Sequence, residues 1–522
     1  MLAKILSSAV LGIDAYIVEV EVDVASGGLP FFSIVGLPDN AVKESKDRVR
    51  AALRNSGYEF PAKHITVNLA PADVKKEGTT FDLAVSLGIL ATARIIKGEM
   101  LGDYIILGEL SLEGKVKPVR GALPMAIAAK ECGLKGVILP KENAKEAAIV
   151  DGIESIGIEN LSQLVGFLNG NLEIQPCTID TKEYFKAGGE TQLDINEVKG
   201  QEHVKRALEI SAAGGHNVLM IGPPGSGKTM LARRIPTILP DMTMDEAIET
   251  TKVHSIAGIL GRKQVLVTTR PFRNPHHTVS DAGLIGGGHI PRPGEVSLAH
   301  NGVLFLDEIP EFKKNVLEVL RQPLEDGKVT ISRAAMSLTY PSNFILIAAM
   351  NPCPCGFLGD THKECRCTPM QIQKYTTKIS GPLLDRIDIH CEVPAVRFRE
   401  LSDDIICESS RDVKTRVNRA RDIQRERFAG HVKRGGHDER VVKKIYSNGQ
   451  MTNRYIKKFC EVDGEGKRLM ETAMDRLGLS ARAYTRILKV ARTIADLEGV
   501  DSIKSHHLSE AIQYRSMDRG MV

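Results

Sequence analysis

The 522-residue chain contains no tryptophan, and aromatic residues make up only 5% of it. It also lacks any apolar run of 18 residues, so no membrane-spanning helix and no membrane partner are expected. Its net charge is only +4, from 69 basic and 65 acidic residues. That balance excludes a chain coated in basic charge, and any nucleic-acid surface must be local. Nine cysteines are too few for a disulfide scaffold in a chain this long, and four of them fall in one short segment, Cys353 to Cys367. This pattern points to a reducing, cytoplasmic compartment and to a metal. What remains is ordinary globular composition, 42% hydrophobic and 26% charged, with length for two to four domains. The start, Met1 to Leu6, has some leader-peptide character, but Asp14 and an alternating strand follow at once, so it is read as mature protein.

The chain is organised around Gly222-Pro223-Pro224-Gly225-Ser226-Gly227-Lys228-Thr229. The apolar run Val218–Ile221 before it reads as a buried strand, and a helical pattern opens at Thr229-Met230. Strand, glycine-rich turn and helix are the context in which GxxxxGK[ST] cradles phosphates. Backbone N–H groups of Gly222 to Met230 would converge on ATP, with Lys228 at the β/γ-phosphates and Thr229 on Mg²⁺. A second apolar run, Gly302 to Leu306, ends in Asp307-Glu308 about 80 residues later. There Asp307 would share the Mg²⁺, and Glu308 would orient or deprotonate the attacking water. A third, Asn343 to Met350, ends in Asn351, whose amide suits a γ-phosphate sensor.

Residues 1–180 read as an α+β domain. Val18, Val20, Val22 and Val24 alternate with acidic residues as a half-buried strand. Strands at 31–35 and 65–69, helices at 39–56, 81–93 and 122–132, a hairpin around Glu113-Gly114 and a strand at 137–139 complete it. Lys76-Glu-Gly-Thr-Thr80-Phe-Asp82-Leu and Gly108-Glu109-Leu-Ser-Leu-Glu-Gly114-Lys-Val-Lys-Pro118-Val resemble the proteolytic domain of Lon-type proteases, which shares an S5-like fold. The resemblance sets Thr80 at the nucleophile position and Leu123 at that of the lysine. Leucine cannot accept a proton, so a non-proteolytic domain is expected. A polar linker, 181–195, precedes the motor.

Pro271-Phe-Arg-Asn-Pro275-His276-His277-Thr278, Gly286 to His300, and Asn351-Pro-Cys353-Pro-Cys355-Gly356 resemble the magnesium-chelatase-like AAA+ ATPases. The fold expected is therefore multidomain α/β and α+β: an S5/Lon-like N-terminal domain, a P-loop core at 196–398 and a helical lid at 399–522. The resemblance implies a DNA-moving ATPase, a homo-oligomeric ring of hexameric type that promotes branch migration of single-stranded or branched DNA as incoming DNA is integrated. A motor that remodels a partner protein, as chelatase-type ATPases do, is the alternative. By the same resemblance Gln201 contacts adenine, Arg386 is an arginine finger reaching the neighbouring subunit, and Arg482 is a second sensor, with Arg486 its runner-up. Residues 327–340 read as a hairpin on which Lys328 and Arg333 would pair DNA phosphates, or which is merely solvated. His276-His277 are placed near a ring pore. Cys353, Cys355, Cys365 and Cys367 would hold a structural Zn²⁺, or remain free thiols.

Overall fold

The computed structural model describes residues 2–25, 29–73, 76, 78–181, 184–185, 193–261, 264–288, 291–333, 336–360, 363–395, 407–429 and 445–516. The chain divides into two compact units, one of Met1–Gly188 with Ala247–Thr268, the other of Gly189–Glu246 with Thr269–Val522. Residues 247–268, inside the stretch read as motor core, thus group with the N-terminal unit. Among the described residues no helix is long and apolar enough to cross a membrane.

Among its described residues the first unit has a four-stranded sheet, a smaller three-stranded sheet and a two-stranded hairpin. In the larger, β1 (Leu2–Leu11) pairs antiparallel over its whole length with β2 (Asp14–Ala25), and β3 (Phe31–Val35) runs parallel to β4 (His64–Ala70), in the order β1-β2-β4-β3. The valines of β2 point inward as their alternation requires, and Val18, Val20 and Val22 are fully buried. β1 is an addition to the expected elements. Helix α1 (Asn40–Asn55) starts where the Asp39 carboxylate accepts the Val42 N–H at 2.7 Å, and it buries Val42, Val49, Ala52 and Leu53. Helix α2 (Asp82–Thr92) is buried along most of its length. It meets β2 where Gly88 has no side chain, since a Cβ there would stand 2.3 Å from Val22 Cγ2. The smaller sheet is parallel: β5 (Tyr104–Ile106), β8 (Gly136–Pro140) and β9 (Glu154–Ile158). Between them, β6 (Glu109–Leu110) and β7 (Val116–Lys117) form the expected hairpin, with Gly114 at φ +80°. Leu123 lies fully buried in the helix Ala122–Glu131.

The second unit carries a five-stranded sheet in the spatial order Phe272–Arg273, Val303–Leu306, Ile345–Met350, Val218–Ile221 and Ile389–Glu392, with every pairing parallel. Its strands are β10 (Val218–Ile221), β11 (Phe272–Arg273), β14 (Val303–Leu306), β17 (Ile345–Met350) and β18 (Ile389–Glu392). β10 and β14 are buried at every residue, which is why they read as unbroken apolar runs. Two hairpins interrupt the α/β alternation: β12 (Gly286–Gly287) with β13 (Arg292–Pro293), and β15 (Lys328–Arg333) with β16 (Met336–Pro341). The Tyr340 hydroxyl donates to Pro291 O at 2.7 Å and joins them.

Helices Ser410–Ala429, Asn453–Phe459, Gly464–Leu477, Ala481–Glu498 and Ser505–Gln513 follow the last strand of this sheet in the chain. Ala481–Glu498 is N-capped by Ser480, ends at Gly499 with φ +73°, and buries Ile487, Val490, Ala491 and Ile494 along one face. Ile487, Val490 and Ile494 each contribute about 1.5–3 kcal/mol of burial, so the helix is anchored by its face rather than by propensity.

Candidate nucleotide site

In a parallel sheet all strands end on one edge, and ligands gather there. Here β10 ends at the glycine-rich loop, β14 at Asp307-Glu308 and β17 at Asn351. Glycine is required at the first loop position because a Cβ on Gly222 would stand 2.1 Å from Val393 O. Gly225 and Gly227 take φ of +78° and +89°, turning the loop into the helix Lys228–Ile238.

The side chains converge as their spacing predicts. Lys228 Nζ donates to Gly222 O at 2.7 Å, Pro223 O at 2.8 Å and Asn351 Oδ1 at 3.2 Å. Burial lowers its pKa, and the carboxylates of Asp307 and Glu308 oppose that shift. Thr229 Oγ1 donates to Asp307 Oδ2 at 2.7 Å, which brings the two expected Mg²⁺ ligands into contact. Asp307 Oδ1 accepts the Glu308 N–H at 3.0 Å, and Glu308 sits exposed at φ +50°. A left-handed glutamate at a strand end is a strained position of the sort that clusters at functional sites. Ser226 is buried, and Met230, on the first turn of the helix, is 39% exposed.

Gln201 is also left-handed, at φ +59°, and buried. Its Nε2 donates to Ser226 O at 2.7 Å and Pro394 O at 3.0 Å. The side chain braces the phosphate loop from behind.

The arginines divide into distinct groups. Arg386 donates from Nη1 to Pro382 O at 2.6 Å and from Nη2 to Glu325. Among the described residues, no hydrogen bond ties it to the phosphate loop of its own chain. Arg482 is exposed on the first turn of Ala481–Glu498. Arg486, one turn on, is committed elsewhere: its Nη1 donates to Asp388 Oδ1 at 2.7 Å. Asp388 is fully buried, yet Arg486 and His216 outweigh that burial and hold its carboxyl well below the usual range. Its other oxygen accepts Asn217 N–H at 3.1 Å, and Asn217 Nδ2 donates to Arg386 O at 3.0 Å. Asp388 and Asn217 therefore fix the backbone around Arg386, a role that local sequence did not signal.

Lys328 and Arg333 are both exposed, but they occupy opposite ends and opposite faces of β15. Five strand steps of about 3.4 Å separate them by about 17 Å, so they cannot grip one phosphate. Lys328 shares its face with Thr330 and Ser332, whose hydroxyls meet Thr339 and Ser337 across the hairpin at 3.1 and 2.9 Å. Arg333 reaches the other hairpin, its guanidinium lying 3.2 Å from where a Cβ on Gly287 would stand. His276 Nδ1 lies 2.9 Å from Thr278 Oγ1, and the His276 and His277 ring centroids are 4.1 Å apart.

Two residues after Asn351 the chain enters the cysteine cluster. Cys353 Sγ lies 3.4 Å from Cys355 Sγ and 3.6 Å from Cys365 Sγ, and all four sulfurs lie within 4.8 Å of one another. A tetrahedron with Zn–S bonds of about 2.3 Å has S···S edges of about 3.8 Å, so the four residues fit a zinc ion. N–H groups of Phe357 and Arg366 bring the Cys355 thiol down to about 6. An N–H from Cys367 favours ionisation of Cys365, but burial and the neighbouring sulfurs push it up to about 12. Four crowded sulfurs resist ionising together unless a cation compensates them, which is the chemistry of a thiolate metal site. Gly356, at φ +86°, presses this knuckle against the phosphate loop: a Cβ there would stand 2.5 Å from Pro224 Cδ. Glu498, His506 and His507 also cluster, but His507 Nδ1 accepts the Lys504 N–H at 2.9 Å. Its proton is thereby assigned to Nε2, facing Glu498 Oε2 at 2.9 Å, which makes a hydrogen bond and not a metal site.

Known families match the chain over three stretches. Residues 194–401 match the family described as magnesium chelatase, subunit ChlI; residues 20–143 match subunit ChlI of Mg-chelatase, and 407–515 its C-terminal region. The chain is 44% identical to competence protein ComM of Haemophilus influenzae over 524 residues, covering 99% of this chain and 98% of that one. It belongs to the ComM/YifB family. YifB of Escherichia coli is 43% identical over 516 residues, 98% of this chain and 97% of that protein. The magnesium-chelatase 38 kDa subunit of Rhodobacter capsulatus is 24% identical over 225 residues, covering 40% of this chain and 60% of that one. The ComM/YifB match is full-length, whereas the likeness to this chelatase subunit is partial.

Proposed function

We propose that the chain is a MgATP-driven ring motor that acts on DNA in the cytoplasm, and that its work is branch migration of single-stranded or branched DNA during integration of incoming DNA. The observation that carries the MgATP part of this reading is the convergence of Lys228, Thr229, Asp307 and Asn351 within hydrogen-bond reach at one sheet edge. In it, Gly222 to Met230 and Lys228 hold the phosphates, Thr229 and Asp307 hold Mg²⁺, Glu308 activates water and Asn351 senses the γ-phosphate. Arg482 approaches the nucleotide from the C-terminal helices, which act as a lid. Gln201 positions the loop beside adenine. Arg386, free of its own phosphate loop, reaches a neighbour's γ-phosphate, and a head-to-tail hexamer supplies that neighbour. The competence designation of the Haemophilus influenzae relative supports DNA as the partner. The first unit is S5/Lon-like and non-proteolytic, since the buried Leu123 cannot serve as a base for Thr80.

The likeness to a magnesium-chelatase subunit favours a second reading, a motor that remodels a partner protein. ATPase rates at one fixed salt concentration, with single-stranded, duplex and four-way-junction DNA, separate the two. The DNA motor is stimulated, most by branched or single-stranded DNA; indifference to all three transfers the proposal to the remodeller. Lys328→Ala and Arg333→Ala should each weaken DNA binding across all sequences. Each should also reduce the steepness of its salt dependence by about one phosphate contact. Their separation along β15 predicts additive losses, and an unchanged salt slope in the double variant would remove this hairpin from the DNA path.

We further propose that Cys353, Cys355, Cys365 and Cys367 hold a structural Zn²⁺. The purified chain should contain about one zinc per copy, lost on Cys353→Ser. Because the knuckle rests on Pro224, zinc loss should also weaken binding of a fluorescent ATP analogue. A wild-type zinc content no higher than that of Cys353→Ser would leave the cysteines as free thiols.

A further inference from the structure

The last turn of the short helix Arg321–Asp326 ends beside the loop that carries Arg386. Glu325 accepts from Arg386 Nη2, and Arg321 Nη2 donates at 3.0 Å to Oγ of Ser380, the N-cap of the short helix Gly381–Leu384 that leads into the turn carrying Arg386. The Arg386 side chain is 10% exposed while that of Glu325 is 56% exposed, so one partner is fixed and the other is at the surface. Arg386 lowers the Glu325 pKa, and Arg482 and Arg486 add to the effect from further off. The surface carboxylate in contact with the finger candidate therefore also lies within the electrostatic field of the sensor candidate. An anionic group among arginines that await a phosphate occupies the place in charge that the phosphate would take.

The chain beyond Glu325 gives this contact a direction. Gly327 ends the helix at φ +65°, its N–H bonded to Pro323 O at 2.9 Å, and β15 begins at the next residue. Ser342 N–H returns to Gly327 O at 3.0 Å, so both legs of the β15–β16 hairpin close on the same residue. A displacement of the hairpin base has only Gly327 and Asp326 between it and Glu325. We propose that Glu325 is a latch that holds Arg386 in cis, and that DNA engaging the β15–β16 hairpin withdraws the latch and frees Arg386 for the neighbouring subunit's ATP. The inference rests on the DNA-motor reading and adds to it a route by which DNA would raise hydrolysis. It gives Glu325 a positioning role, with no contact to nucleotide.

The test is the ATPase rate of the full chain with Glu325→Gln, which keeps the shape and removes the charge. A part-exposed ion pair supplies little, so the DNA-free rate should rise about two- to five-fold. The rate at saturating DNA should match wild type, so that the stimulation ratio shrinks by the same factor. In an Arg386→Ala background the gain should vanish, an effect that a merely structural Glu325 would not show. An unchanged or lower DNA-free rate for Glu325→Gln, in a chain whose wild type is stimulated by DNA and disabled by Arg386→Ala, overturns the latch alone. A wild type indifferent to both DNA and Arg386→Ala overturns the motor reading and the latch with it.

Discussion

Glu308→Gln should bind ATP with little change and hydrolyse it at least about 100-fold more slowly, the lower end of what a positioned general base contributes. The substitution leaves the binding apparatus in place. Lys228 keeps its bonds to Gly222, Pro223 and Asn351, and Thr229 keeps Asp307. Glu308 is exposed and its backbone, not its side chain, is tied to Asp307, so the amide enters without a packing cost. What the amide lacks is a lone pair basic enough to take a proton from water. Lys228→Ala should behave in the opposite way and lose affinity, because it removes the cation proposed to hold the phosphates. Equilibrium binding of a fluorescent ATP analogue beside steady-state phosphate release reads the two effects separately. Undiminished turnover in Glu308→Gln would transfer the role to another group.

The reasons that this site could be found in the sequence also explain what was missed. β10, β14 and β17 are buried on both faces, so each reads as a continuous apolar run, and the polar residues that end them stand out. The same logic hides β1. Its sequence shows no two-residue alternation because Ser7 and Ser8 are both buried, satisfied by Ile106 O at 2.9 Å and Tyr16 O at 2.8 Å. A polar pair with such partners looks like a break in the strand and is part of it. The choice between Arg482 and Arg486 depends on a partner outside their helix. Four residues apart at its start, the two differ through Asp388, nearly a hundred residues earlier, which engages Arg486. Glu325 was equally silent, as its contact with Arg386 spans 61 positions. Local pattern reveals the ends of strands and the spacing of sulfurs, while long-range ion pairs need the fold.

Arg386→Ala should lower ATP turnover by about 10³-fold or more while leaving ATP binding near wild type, because a finger stabilises charge that develops only in the transition state. Arg386 bonds Pro382 O and Glu325, and no described hydrogen bond reaches its own phosphate loop. The defect of the variant therefore belongs to the adjoining site, whose loop, Mg²⁺ ligands and Glu308 are intact. Glu308→Gln has the reverse lesion, a sound finger beside a dead acid. Mixed in equal amounts and reassembled, the two inactive proteins should regain activity. An Arg386→Ala subunit with a working Glu308 then receives its finger from a Glu308→Gln neighbour. Random assembly of a closed ring makes about one site in four of this kind, so recovery should approach a quarter of the wild-type rate. Recovery of a smaller but measurable fraction would indicate that neighbouring sites depend on one another. If each protein is an intact oligomer and subunits exchange, yet no activity returns when one in four sites is complete, Arg386 acts within its own chain and the head-to-tail assignment fails.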